Sequence, residues 1–337
     1  MIAINIELLE AKVEAELKDI FSERTMPLYN MMAYHLGWQD ERGNMGVPMR
    51  RDRHHGVACL AAAHAAGGEA EAALPAAAAV ELVHNFAQIH DDVQGGHPQR
   101  FKRDAVWWVW GPAQAINAGD GMYALARLAL FRLMDRGISP EVTFGALKML
   151  DIAGLEVCEG RFRDFEAQER IDMSVEAYMA MASSKTGALL ACSTKLGALA
   201  SGAPAAVVDA MGVYGTKMGI AWQVREDLDA LWPTDPQAAP PSTEVLNKKK
   251  LLPVVHALEQ ATLKDKRRLG EIYFKRVLQP EDVISVRGVL EELGARDFCE
   301  GLVKNLRQEA HDALVTAGVT AEGKKLLAQV EKGLMGE

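Results

Sequence analysis

A chain of 337 residues, 49% of them hydrophobic and with a formal net charge of -9, is long enough for one large or two ordinary domains. It carries no basic footprint that would mark nucleic acid as a partner, and nowhere do about 18 apolar residues run together as a membrane span requires. Cys59, Cys158, Cys192 and Cys299 stand far apart, without CxxC spacing or a secretory signal upstream, and read as reduced core residues of a cytoplasmic protein.

Residues 1 to 40 read as helical, with Ile6, Leu8, Leu9, Val13 and Leu17 at mixed helical spacing, and a polar loop follows from Gln39 to Gly46. After the basic stretch PMRRDRHHG comes a helix in which Val80, Leu82, Val83, Phe86, Ala87 and Ile89 are apolar at nearly every turn angle, so it should be buried on most sides. That helix ends in two acids, Asp91 and Asp92. Burying charge there is costly unless a cation or hydrogen bonds compensate, and a hard divalent metal is the natural compensator. Trp107, Trp108 and Trp110 cannot share one helix face and read mainly as packing. Ser139 with Pro140, then Ser174, then Pro280 each signal a helix start. A lysine, Lys185, sits inside an apolar Ala and Leu helix and should have a partner. Trp222 and Glu226, spaced i to i+4, share a helix face with Gln223 and Asp227 beside them. Ala-rich periodic segments without alternating strands, and no break in composition, predict one all-α domain over residues 1 to 337.

The segment ending in Asp91 and Asp92 resembles the first aspartate-rich region of the trans-isoprenyl diphosphate synthases, the polyprenyl synthetase family, where the same helix ends in DDxxD. Gly67, Gly68, the run LPAAAA, His84, Asn85, His90, Arg100, Gly111 and the stretch AQAINAGD match at the same spacing. So does a second block: Lys185 and Thr186, Gln223 with Glu226 and Asp227, and KKKLLP at Lys248 to Pro253. The likeness covers roughly residues 25 to 260 and implies an isoprenoid-synthase-type bundle of ten or more helices around a central cavity. It further implies Mg2+ held by Asp91, Asp92, Glu226 and Asp227. Arg100, Lys185, Thr186 and Lys249 would bind an allylic prenyl diphosphate, with Asp91, Asp92, Lys185 and Gln223 at the chemistry, Phe86 and Trp222 in the cavity, and a homodimer as the assembly.

Departures concentrate on the site for the second substrate, isopentenyl diphosphate. Where the family carries GKxxRP, this chain has Arg51, Asp52, Arg53, His54, His55 and Gly56: the lysine is Asp52, the second arginine is His55 and the proline is Gly56. A slipped register, with Arg50, Arg51 or Arg53 supplying the cation, is the alternative. Phe101 stands for the arginine that serves isopentenyl diphosphate, which leaves His84 as its remaining readable ligand; Gly95 and Ala230 stand for the last acids of the two acidic motifs. Arg161 replaces the glutamine of the family's EGQxxD, with Asp164 kept, and the proline-rich loop PTDPQAAPPST reads as a lid.

Three functions follow in order. The first is terpene-synthase-like ionisation of a single allylic diphosphate, with cyclisation or elimination, because the second-substrate cations are the ones lost. The second is chain elongation of the farnesyl or geranylgeranyl diphosphate class. The third is a non-catalytic partner subunit of a heteromeric synthase.

Overall fold

The structure is a computed structural model that describes residues 5–45, 52–168, 173–233, 243–273 and 275–337. Arg50, Arg51 and most of the proline-rich lid segment fall outside the described residues. Within them the chain is helical almost throughout, in the order α1 (Ile6–Phe21), α2 (Pro27–His35), α3 (His54–Ala65), α4 (Leu74–Gln94), α5 (Val106–Trp110), α6 (Pro112–Phe131), α7 (Pro140–Gln168) and α8 (Val175–Ala182). A π-helical turn, Ser183–Gly187, leads into α9 (Ala188–Ala200), followed by α10 (Ala205–Leu231), α11 (Thr243–Leu246), α12 (Leu252–Gln260), α13 (Leu263–Tyr273), α14 (Pro280–Glu292), α15 (Ala295–Thr316) and α16 (Ala321–Met335). Local chemistry sets several starts. The Asn5 side chain accepts from the Leu8 amide at 2.9 Å, the Ser139 hydroxyl from Val142 at 3.3 Å and the Ser174 hydroxyl from Ala177 at 3.1 Å. Proline occupies the first turn of α2, α4 and α14, where its missing N–H costs nothing, and Gln279 and Asp282 close a reciprocal capping box on the last of these.

The backbone contacts gather into two compact units. The first comprises residues 1–154, 189–212 and 314–337, and its centre is α4, which packs on α3 and α6. Val80, Leu82, Val83, Phe86, Ala87 and Ile89 are all buried, as the apolar run predicted. The alanines from Ala76 to Ala79 are fully enclosed, so small side chains let neighbouring backbones come close. At Gly197 a side-chain carbon would collide with the Cys59 carbonyl of α3, so that crossing requires glycine.

The second unit comprises residues 155–188 and 213–313. Its core is built from Leu231, Val245, Leu251, Val254, Leu269, Val283, Val286 and Leu290, contributed by α10 to α14 and the turn that leads into α12. Among the described residues no helix is long and apolar enough to cross a membrane.

Two expectations change. One cysteine, Cys158, is exposed on α7 while the other three are buried, because it falls on an outward turn of that helix. A strand pair exists where none was expected: Gln99–Arg100 pairs antiparallel with Arg103–Asp104. Its two-residue loop is Phe101 and Lys102, at φ 52° and 61°, the positive values such a loop needs but which these residues rarely adopt.

Candidate active site

The first acid pair closes α4 in the first unit. Asp92 is buried and Asp91 half-buried, and the hairpin after the helix turns Arg100 back onto both. Arg100 donates from Nε to the two Asp92 oxygens at 2.8 and 2.9 Å, and from Nη2 to Asp91 Oδ2 at 3.3 Å. Arg103 anchors the returning strand by donating to the Tyr34 and Gln39 carbonyls at 3.3 and 2.9 Å while lying 3.9 Å over the Tyr34 ring. Burial raises the Asp92 pKa, and the Arg100 guanidinium offsets that only in part. More positive charge would be accommodated there.

In the second unit the acids differ in what can reach them. Glu226 is hemmed in by protein and still accessible to solvent; burial pushes its carboxyl up to about 7, with Lys185 and Lys249 lowering it and Asp227 raising it. Accessibility is the property that decides what it can bind, and Glu226 has it. Asp227 is enclosed: Oδ2 accepts from the Tyr178 hydroxyl at 2.5 Å and the Leu252 amide at 2.7 Å, and Oδ1 from Gln223 Nε2 at 3.2 Å. Burial pushes its pKa up to about 6 against the lowering effect of those donors. Thr186 completes the chain by donating to Gln223 Oε1 at 2.7 Å. Lys185 meets Asp164 at 2.7 Å and Lys249 meets Glu244 at 2.7 Å. Both Lys185 and Thr186 lie in the π turn, and Gly160 of α7 is in such close contact with the Lys185 backbone that a side chain there would clash.

Residues read as the second-substrate site lie in the first unit. Asp52 is exposed and 3.8 Å from His54. Arg53 is buried, donating twice to Glu14 Oε2 at 3.0 and 2.8 Å and once to the Leu36 carbonyl at 3.1 Å. His55 is buried beside Ser193 Oγ at 3.3 Å and against His84, with ring centroids 4.6 Å apart; burial, then the charge of His54, drives its pKa down to about 3, so it is neutral near pH 7. His84 also hydrogen-bonds Gln88 at 2.9 Å. Phe101 is exposed at the hairpin tip. Phe86 is buried between His90 and Tyr123, at centroid distances of 4.7 and 5.2 Å, and Trp222 is half-buried on α10. Asp91 and Asp92 therefore come together with Arg100, and Lys185, Thr186, Gln223, Glu226 and Asp227 form a second cluster within their own unit.

The family described as polyprenyl synthetase matches residues 51–290, well over half of the chain. The chain belongs to the polyprenyl synthetase family. It is 37% identical over 234 residues to a geranylgeranyl diphosphate synthase of Mycobacterium tuberculosis, covering 69% of this chain and 65% of that relative, just under two thirds of its length. A geranylgeranyl diphosphate synthase of Methanosarcina mazei is 32% identical over 275 residues, 80% of this chain and 81% of the relative. The crystal structure of a polyprenyl synthetase from Streptomyces coelicolor A3(2) superposes with a TM-score of 0.88 at 31% identity, over 97% of this chain and 98% of that one.

The carboxylate oxygens of the two acid pairs suit a hard divalent metal, which can take one or two carboxylates and complete its shell with water and phosphate oxygens. Among the described residues no group of three or more His, Cys, Asp or Glu side chains is arranged to hold a metal ion by itself. Sequence reasoning missed Tyr178, Arg103 and Glu81. Tyr178 had one visible signal, a polar-tipped aromatic in the apolar helix seven residues before Lys185, and such a hydroxyl finds a partner when buried. Glu81 is fully buried and accepts from the Gly56 amide at 2.8 Å, while its Oε2 has no hydrogen-bond partner.

Proposed function

We propose that this chain is a class I isoprenoid diphosphate enzyme that elongates an allylic prenyl diphosphate with isopentenyl diphosphate, as a trans-isoprenyl diphosphate synthase. The likeness to geranylgeranyl diphosphate synthases along most of the chain carries this reading and favours it over cyclisation or elimination, which the lost cations alone had put first. Asp91 and Asp92, with Glu226, would hold Mg2+, which when bound neutralises the diphosphate leaving group, and Asp227 sits next to Glu226 on the same helix. Arg100, Lys185, Thr186 and Lys249 would bind and orient that diphosphate, and Gln223 would fix Thr186 toward it. The apolar side chains of Phe86 and Trp222 would keep water from the allylic cation and stabilise it through their ring faces. No nucleophilic side chain is needed, because the second substrate's double bond attacks the cation. A cytoplasmic homodimer belongs to the same reading: Ile116, Leu128, Met134, Phe144 and Ile152 leave apolar surface exposed on the first unit. Light scattering at micromolar concentration tests it, and a monomer overturns it.

One observation favours the single-substrate reaction as a second reading. Arg53 is held by Glu14, His55 is neutral, Asp52 is an acid and Phe101 is apolar, so the second diphosphate meets fewer cations than in the family pattern. Purified protein with Mg2+ and geranyl, farnesyl or geranylgeranyl diphosphate, with and without isopentenyl diphosphate, separates the two. Longer prenyl diphosphates support elongation. Diphosphate release with a hydrocarbon or alcohol product, unchanged by isopentenyl diphosphate, supports ionisation alone.

A further inference from the structure

Adjacent acids in one motif are read as equivalent metal ligands, but the two in the second unit face different surroundings. Glu226 is reachable by solvent. Asp227 is enclosed, and three donors from three places already converge on it: the Tyr178 hydroxyl from α8, Gln223 one turn earlier on α10, and the Leu252 amide at the start of α12. A carboxylate has about four acceptor positions, and the three donors leave little of Asp227 for a cation.

The Leu252 amide gives this arrangement its consequence. It ends a tight turn in which Lys248 has φ 58°, Lys249 donates its amide to the Glu244 carbonyl at 2.9 Å, and Leu251 donates back to the Lys249 carbonyl at 3.1 Å. The position of Lys249 is therefore set by a turn whose far end is pinned to Asp227. At the other side, Tyr178 and Thr186 flank Lys185 on the helix that carries it, and both reach Asp227, directly or through Gln223. One side chain thus ties together the three segments that present Lys185, Glu226 and Lys249.

We propose that Asp227, clamped by Tyr178 and the Leu252 amide, is a positioning residue for the two diphosphate-binding lysines and not a metal ligand, and that Glu226 alone is the metal-facing acid of this pair. The assignment rests on the enzymatic reading above.

Calorimetric titration of the full chain with inorganic pyrophosphate, first without metal and then with Mg2+, tests it. Metal-free affinity reads lysine placement, and the gain on adding Mg2+ reads the metal ligands. Tyr178→Phe is expected to weaken metal-free binding at least threefold while keeping the Mg2+ gain within about twofold of wild type. Asp227→Asn keeps the shape and an acceptor oxygen, and is expected to preserve the Mg2+ gain. Glu226→Gln is expected to lose most of that gain and to bind metal-free pyrophosphate at least as well as wild type. Both substitutions in the clamp are near-isosteric, and melting scans confirm that each variant folds. Loss of the Mg2+ gain in Asp227→Asn to the level of Glu226→Gln would make Asp227 a ligand and overturn the proposal. Wild-type metal-free affinity in folded Tyr178→Phe would overturn the positioning role. A wild-type protein that gains nothing from Mg2+ would instead overturn the enzymatic reading, and the assignment with it.

Discussion

Two pairs of adjacent acids end up with opposite kinds of partner. Asp91 and Asp92 both pair with a charged side chain, Arg100, which is long, flexible and itself part of the expected diphosphate site. Asp227 is held by a tyrosine, an amide side chain and a backbone N–H, all uncharged and fixed in the frame, while its neighbour Glu226 stays open. A charged side-chain partner can be exchanged for substrate and metal without stranding a polar group. Built-in neutral donors cannot leave without being left unsatisfied, which costs about 1–3 kcal/mol per group. The lesson is that two neighbouring carboxylates in a sequence do not make equivalent ligands; what already occupies their oxygens divides them.

The largest expected effect tests the exchangeable pair. Replacing Asp91 and Asp92 together by asparagine should lower kcat/KM for diphosphate release by about 10³-fold, as expected for removing charge stabilisation of a leaving group. A loss below tenfold would place the metal chemistry elsewhere.

Glu81 sharpens the comparison, since it shares with Glu226 a pKa of about 7 but is sealed from solvent, with Arg53 and the Gly56 amide lowering it only in part. The folded chain keeps its proton where the unfolded chain, at its ordinary value of 4.5, has released it. Its contribution to stability is therefore full below about 4.5 and declines as pH rises to about 7. His55 acts oppositely: its pKa falls from 6.5 to about 3, so stability is lost as pH drops through that window. Together they predict a plateau between about pH 4.5 and 6.5 with losses on both sides. Glu81→Gln should remove the alkaline loss and raise unfolding free energy at pH 8 by about 2 kcal/mol in denaturant titrations. An unchanged alkaline slope would mean that Glu81 does not carry it.

Arg100→Met breaks the first pair's partner while leaving both acids. The loss of one charge-assisted contact to the diphosphate should raise KM for the allylic substrate by about 10-fold to 100-fold in steady-state assays. The smallest effect belongs to the hairpin that delivers Arg100. Phe101→Asn with Lys102→Gly supplies residues suited to positive φ and should stabilise the fold by about 1 kcal/mol in chemical denaturation. No gain would mean that the loop is not strained.

Much of this architecture was legible in the residues. The apolar run from Val80 to Ile89 announced a buried helix ending in acids, and Ser139, Ser174 and Pro280 marked real helix starts. Of the residues that the family likeness grouped, Thr186, Gln223 and Asp227 form one hydrogen-bonded chain, while Lys185 pairs with Asp164. The hairpin was invisible because neither Phe101 nor Lys102 is a turn-forming residue. Arg53 looked like a substrate cation because its partner, Glu14, lies 39 residues upstream. Tyr178 and Asp227 are separated by 49 residues, and only the fold brings them together. Local pattern reports which side chains face inward, but not which of two plausible partners a charged group takes.

The π turn at Ser183–Gly187 has one further consequence, at the level of codons. Such a turn holds one residue more than a regular helix needs, which reads as a single-residue insertion absorbed into an older helix. Deleting one codon within it would restore regular winding and rotate everything before the turn by about 100° relative to everything after it. Tyr178, on one side, would swing away from the network reached by Thr186. The helix would survive such a deletion while the clamp on Asp227 was lost, so this segment is one where a gene can shed a residue, keep its fold and abandon its site.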